Sequence, residues 1–295
     1  MSAGAGKYAV GFVGIGMMGL PMAKRIAMHG YPLYDYDTAD AAVKAIGAVS
    51  GVQAAKSLAD IGRSCEAVIL MLPDSAVVKK VLFGENGGLA AHLKKGSVVI
   101  DMSSSNPSVT RELGPRLEAA GASFIDAPVS GGVKRAVDGS LAIMAGGEQA
   151  VIARMQPLFL TMGKTIIETG MLGSGHAMKA LNNYVSAAGL LAACEALKVG
   201  ADFGIAPDKI VAVLNAGTGK NNSTENKLMQ FVVSGLFNSG FSLALMRKDI
   251  NIATELAQSV GTDMLLGDVL LKSWTEADAK LKGADHTEIY RMLEK

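Results

Sequence analysis

Residues 10–19 read VGFVGIGMMG, an apolar run that breaks into Gly14, Gly16 and Gly19 at GxGxxG spacing. In that spacing the first glycine lets a strand turn tightly, the second lets backbone approach a pyrophosphate, and the third lets a helix pack closely on the strand. The helix start then offers backbone N–H groups to phosphate oxygens. Glycine also marks ordinary turns, and the chain has 35 glycines in 295 residues, so the flanking sequence decides. Tyr8 to Val13 is apolar and β-favouring, while Met22, Ala23, Ile26 and Ala27 recur at helical spacing before Gly30. The stretch predicts strand, glycine turn and helix, with Gly14, Ile15, Gly16, Met17, Met18 and Gly19 against a dinucleotide.

A second short strand, Tyr31 to Tyr36, ends at Asp37. A carboxylate about 20 residues past the glycines is where an adenosine ribose diol is bound in this fingerprint. The next residue is Thr38, whereas a 2′-phosphate is usually met by a nearby arginine. NAD is therefore expected over NADP. A plain alternative is that Asp37 starts a turn or caps the helix beginning near Ala39. Asp35 stands in the same strand where an apolar residue is expected, and nothing in the sequence explains it.

The chain is longer than a typical domain. A formal net charge of +1, with no extended basic run, gives no electrostatic footprint for nucleic acid or a membrane surface. Cys65 and Cys194 lack CxxC or metal-ligand spacing, which suits a reducing compartment and core positions. The longest apolar stretches, such as Ala67 to Leu72, are too short to cross a bilayer, and the opening residues lack an apolar signal-peptide core. A cytoplasmic protein is expected. The four histidines show no HExxH or other metal-ligand pattern, so hydride chemistry would need an organic cofactor. The opening SAGAG reads as loosely held.

Up to about Glu168 short apolar strands alternate with helical segments, the further strand candidates being 67–72, 97–101, 123–127, 141–145 and 165–168. That alternation predicts an α/β fold with a doubly wound, Rossmann-type sheet. Beyond Gly173 helical patterns take over, broken at Gly204, Pro207, Gly217, Gly240, Gly261 and Gly283. The expected division is a dinucleotide-binding domain over 1–170 and an all-α domain over 171–295, for substrate and oligomerisation. A helix over about 174–202 would join them and form one wall of a cleft.

That helix opens with GSGHAMKALNN, residues 173–183, in which Lys179 and Asn183 share a face. Ser186 and Leu190 continue the stripe. On periodicity alone, Lys179 reads as a snorkelling stem or as a cation held in a pocket.

Four separated motifs then carry a likeness: GFVGIGMMGLPMA (11–23), DAPVSGG (126–132), GSGHAMKALNN (173–183) and Lys248–Asp249 in MRKDINIA. Over essentially its whole length the chain resembles the β-hydroxyacid dehydrogenases of the 3-hydroxyisobutyrate dehydrogenase type. The resemblance implies an NAD-dependent oxidoreductase working between nicotinamide and C3 of a short 3-hydroxy acid. It implies Lys179 as catalytic residue, with Ser103, Ser130, Gly131, Gly132 and Asn183 on the substrate. It further implies Leu72, Pro73, Ser104 and Lys248 on the cofactor, and a homodimer or homotetramer. On their own residues, Leu72–Pro73 would be a strand ending in a turn and 103–105 a helix cap before Pro107.

The chemistry is coherent, since oxidising an alcohol needs a base for the hydroxyl proton, and a lysine with a pKa lowered by an apolar pocket serves near neutral pH. Backbone N–H groups of 130–132 would cradle a carboxylate. Two departures from the family pattern stand out. Lys134 and Arg135 follow the glycines, either facing solvent or meeting a second anionic group. Asn222 falls about where relatives often carry a bulky aromatic, which points away from 3-hydroxyisobutyrate toward a more polar substrate. Competing readings are a non-catalytic dinucleotide-binding scaffold, disfavoured by Lys179, and an imine reductase, which shares the architecture but generally replaces that lysine. A 6-phosphogluconate dehydrogenase would have a much longer helical region.

Overall fold

The computed structural model describes residues 7–294, so the expectation for SAGAG lies outside the described residues. The chain divides into two compact units, 1–179 and 180–295.

Unit 1 is built on a sheet. Its elements in chain order are β1 (Val10–Val13), α1 (Gly19–Met28), β2 (Leu33–Tyr36), α2 (Asp40–Gly47), β3 (Val52–Ala54), α3 (Leu58–Ser64), β4 (Ala67–Leu70) and α4 (Ser75–Phe83). There follow β5 (Val98–Asp101), α5 (Pro107–Ala119), β6 (Ser123–Asp126), β7 (Val129–Ser130), α6 (Gly132–Asp138), β8 (Leu141–Gly146), α7 (Gln149–Phe159) and β9 (Gly163–Gly170). The strand order is β3-β2-β1-β4-β5-β6-β8-β7, with β9 on β8. Strands β1 to β6 are parallel, Val10 lying level with Leu33 on one side and Ala67 on the other. β8 runs antiparallel to β6 and β7.

Alternation along the central strands feeds two separate cores. Ala67 and Ile69 of β4 and Val98 and Ile100 of β5 join α1 and α7 on one face, while Val68, Leu70 and Val99 join α3, α4 and α5 on the other. Successive strand side chains point to opposite faces, so a sheet covered on both sides needs apolar runs, as these strands have. The chain crosses from β2–β3 on one flank of β1 to β4–β6 on the other. Ligands of such sheets gather at the carboxyl ends beside that reversal. Asp35 points into the first core, fully buried, and neither carboxylate oxygen has a hydrogen-bond partner. Burial pushes its pKa up, which favours the neutral acid.

Helix α8 (Ser174–Asp202) starts in unit 1 and continues into unit 2. Unit 2 adds α9 (Pro207–Ala216), α10 (Asn222–Asn226), α11 (Leu243–Ser259) and α12 (Gly267–Lys280), with a short π-helical segment over 228–233 and a 3-10 helix over 286–293. Ala187, Leu190, Cys194 and Leu197 of α8 pack with Ile250 of α11 and with Leu270 and Trp274 of α12. One sequence expectation is corrected here. α8, at 29 residues, is by length and composition apolar enough to cross a bilayer. The signal was missed because its Ala and Leu residues are interspersed with Gly, Ser and Asn rather than forming one run. Within unit 2 its apolar stripe is core.

Candidate functional site

The glycine turn follows β1 directly. Gly14 adopts φ +99°, and a Cβ there would stand 2.3 Å from the Met71 carbonyl oxygen. A Cβ on Gly19 would stand 1.9 Å from the carbonyl oxygen of Gly14, so turn and helix touch backbone to backbone. Gly16 differs: a Cβ there would meet nothing within 4 Å. The protein leaves open space where the fingerprint places a pyrophosphate. α1 has no side-chain cap and no acidic residue in its first turn, so its N–H groups and partial positive charge suit phosphate. These residues fit a dinucleotide.

Asp37 starts a turn ahead of α2, whose N-cap residue, Ala39, makes no side-chain cap. Asp37 Oδ2 accepts from Ile15 N at 2.6 Å and its Oδ1 from Ala39 N at 2.8 Å, tying the glycine turn to the start of α2. Each carboxylate oxygen has a second lone pair, so capacity for a ribose diol remains. Thr38 beside it is exposed.

The next two strand ends lie in the same layer. After β4, Leu72 is half-buried and Pro73 exposed. After β5, Ser103 is buried, its Oγ accepting from Leu72 N at 2.9 Å and its N–H donating to Asp101 Oδ1 at 3.0 Å. Ser103 therefore holds the β4 turn through its oxygen and keeps its hydroxyl proton to donate. Ser104 is half-buried.

Asp101 and Asp126, the last residues of β5 and β6, are level across the sheet and both buried. Asp101 Oδ2 accepts from Ser105 Oγ at 2.8 Å. Asp126 accepts from the backbone N–H of Gly173 at 2.7 Å and of His176 at 2.8 Å. It thereby caps α8 from a neighbouring strand, satisfying donors that a helix start leaves open. Burial pushes the Asp126 carboxyl above the usual range, opposed by His176 and these N–H groups. His176 Nδ1 meets Thr110 Oγ1 at 2.8 Å, and Nε2 lies 3.7 Å from Asp101 Oδ2. Gly175 is dictated by packing, since a Cβ would stand 2.3 Å from the Met144 carbonyl oxygen. Asp101, Thr110, Asp126 and His176 had no role in the sequence reading. The available signal was a carboxylate ending each of two apolar strands.

Beyond Asp126 the chain makes β7 and turns at Gly131 (φ +132°) and Gly132 (φ +67°) into α6, with no side-chain cap. Ser130 is half-buried and both glycines are exposed. Lys134 and Arg135 are exposed on α6, the Arg135 stem passing over Gly131.

Lys179 is half-buried on α8, one turn past His176. In unit 2, Asn183 is buried and donates to Asp249 Oδ2 at 2.5 Å, while its Oδ1 accepts from Asn182 at 3.1 Å. Lys248 Nζ lies 4.0 Å from Asp249 Oδ1. Asp249 was read only as part of a motif, and the structure makes it the support of Asn183. Asn222 is exposed at the start of α10.

Residues 9–173 match the NAD binding domain of 6-phosphogluconate dehydrogenase, and residues 173–293 match the NAD-binding region of NADP-dependent 3-hydroxyisobutyrate dehydrogenase. The chain is 39% identical to mitochondrial 3-hydroxyisobutyrate dehydrogenase of Rattus norvegicus, covering 90% of this chain and 80% of that protein. It is 35% identical to 2-(hydroxymethyl)glutarate dehydrogenase of Eubacterium barkeri, covering 83% and 81%. A Mycobacterium tuberculosis 3-hydroxyisobutyrate dehydrogenase structure with L-serine superposes with a TM-score of 0.91 at 28% identity, covering 98% of this chain and all of that one. An imine reductase from Myxococcus stipitatus shares the fold at 16% identity, with a TM-score of 0.68.

Proposed function

This chain belongs to the β-hydroxyacid dehydrogenase family, and on that premise we propose that it transfers hydride between NAD and C3 of a short 3-hydroxy acid. When bound, the dinucleotide supplies the hydride acceptor at C4 of its nicotinamide. Gly14 to Gly19 and the α1 start hold the pyrophosphate, Asp37 the ribose, and Leu72, Pro73, Ser104 and Lys248 the remaining length. Asp37 with Thr38 favours NAD over NADP.

Lys179, as the neutral amine, takes the hydroxyl proton during oxidation and, as ammonium, returns it to the carbonyl oxygen during reduction. Asn183, its amide fixed by Asp249, orients the hydroxyl, while Ser130, Gly131 and Gly132 offer N–H groups to the carboxylate and Ser103 donates near the reacting carbon. The observation that carries this reading is the cap on α8. Asp126 ends the strand that leads toward Ser130–Gly132, and its carboxylate holds Gly173 and His176, anchoring the start of the helix that carries Lys179. NADH formation with 3-hydroxyisobutyrate, glycerate, serine, threonate and sulfolactate tests it. Activity on at least one is expected, and inactivity on all would overturn it.

The helical unit also exposes Val199, Phe203, Val213, Leu265 and Val269, apolar side chains that a second copy of the chain would cover. We propose self-association into a dimer or tetramer, tested by sedimentation. A monomer at micromolar concentration contradicts it.

A further inference from the structure

Lys227 stands outside every role assigned so far. It follows α10, and its side chain turns inward within unit 2 to donate to Ser186 Oγ of α8 at 3.2 Å. No carboxylate lies within 4 Å of its Nζ among the described residues. The ammonium has three donors, and one is used.

The surrounding groups do not answer this cation. Asp285 is the acid whose charge it feels, but that carboxylate already accepts from Ser239 Oγ, Thr287 Oγ1 and the N–H groups of Gly240, Phe241 and Thr287. Cys194 is a buried thiol, its pKa pushed up to about 12 by burial, and so carries no charge to offer. His286 is held low by burial and remains neutral. A cation sunk in protein with unmade hydrogen bonds is costly unless an anion meets it.

Its position says which anion. Lys179, Asn183 and Ser186 lie on one stripe of α8, Ser186 one turn past Asn183, a rise of about 4.5 Å. That rise is about the span of three to four carbon–carbon bonds. Ser186 Oγ accepts from Lys227 and keeps its own proton to donate.

We infer that Lys227 and Ser186 bind a second anionic group of the substrate, making this chain selective for 3-hydroxy acids that carry a second carboxylate or a sulfonate. The inference rests on the dehydrogenase reading above.

The test compares kcat/KM for 2-(hydroxymethyl)butanedioate, 2-(hydroxymethyl)pentanedioate and 2-(hydroxymethyl)-3-sulfopropanoate with that for 3-hydroxyisobutyrate, in the wild type, Lys227→Met and Lys227→Arg. The wild type should prefer at least one two-anion acid, and which one identifies carboxylate or sulfonate. Lys227→Met should lower that preference roughly ten- to a hundredfold, mainly through KM, the scale of a charge-assisted hydrogen bond, and Lys227→Arg should recover most of it. Should Lys227→Met not fold, Ser186→Ala reads the same ratio and should lower it severalfold. A ratio unmoved by these substitutions, or a wild type that oxidises 3-hydroxyisobutyrate and rejects all three two-anion acids, overturns the inference while leaving the dehydrogenase reading intact. Inactivity on every hydroxy acid overturns the reading beneath it.

Discussion

Replacing Asp126 by Asn removes charge while keeping shape. The carboxylate accepts from Gly173 N and His176 N through separate oxygens. An amide has one oxygen, so one N–H keeps its acceptor and the other faces an NH2 group. A buried donor left unsatisfied costs about 1–3 kcal/mol. Relief from burying a carboxyl whose ionisation is disfavoured offsets part of this. The expected loss is about 1–2 kcal/mol, or roughly 2–8 °C in Tm for a unit of this size. The lost bond lies in the first turn of α8, one turn before Lys179. A shift of about 1 Å at a reacting group can cost about a hundredfold in rate, so kcat should fall about ten- to a hundredfold with the KM for NAD within about twofold. Differential scanning calorimetry and initial rates measure both. A variant with unchanged Tm and unchanged kcat would refute the claim that this cap positions Lys179.

Gly19→Ala should damage unit 1 more than its size suggests, because its Cβ meets the Gly14 carbonyl at 1.9 Å with no side chain to yield. A loss of NAD affinity of tenfold or more by calorimetric titration is expected, and wild-type affinity would contradict the close approach. Asp37→Ala should raise the KM for NAD and narrow the gap to NADP, and a wild type that prefers NADP refutes the ribose assignment. Burial lowers the Lys227 amine to about 8, so affinity for a two-anion substrate should fall above about pH 8 as the charge is lost. Its neighbours Cys194, Asp285 and His286 are held by their surroundings outside that window. For stability the sign is opposite. Between about 8 and 10.5 the unfolded lysine holds its proton and the folded one does not, so stability should rise across that window, and urea titrations of wild type and Lys227→Met measure the difference.

What could be read from residues alone was whatever depended on near neighbours in the chain. The strand, turn and helix around Gly14–Gly19 came from spacing within twenty residues, and the breaks at Gly204, Pro207, Gly217 and Gly261 mark helix ends in unit 2 because proline and glycine act locally. β3 and β7 escaped notice. The first is three residues with two exposed, the second only two residues, too short for any period to show. The capping acid was hidden for a different reason, since Asp126 reaches donors 47 and 50 residues away, a distance no local pattern encodes. Lys227 reads as one more surface lysine until α8 is packed beside it. Asp35 did stand out in the sequence, and its burial without a partner confirms the oddity without explaining it.

The central claim is that Lys179 moves the proton in NAD-dependent oxidation of a 3-hydroxy acid. Its most direct test is NADH formation by wild type and Lys179→Ala on the best substrate of the panel, with NAD affinity measured by titration on both. The account predicts a loss of at least about a hundredfold in kcat, the scale of a positioned general base, with NAD affinity within about threefold of wild type. Turnover by Lys179→Ala at the wild-type rate would contradict it.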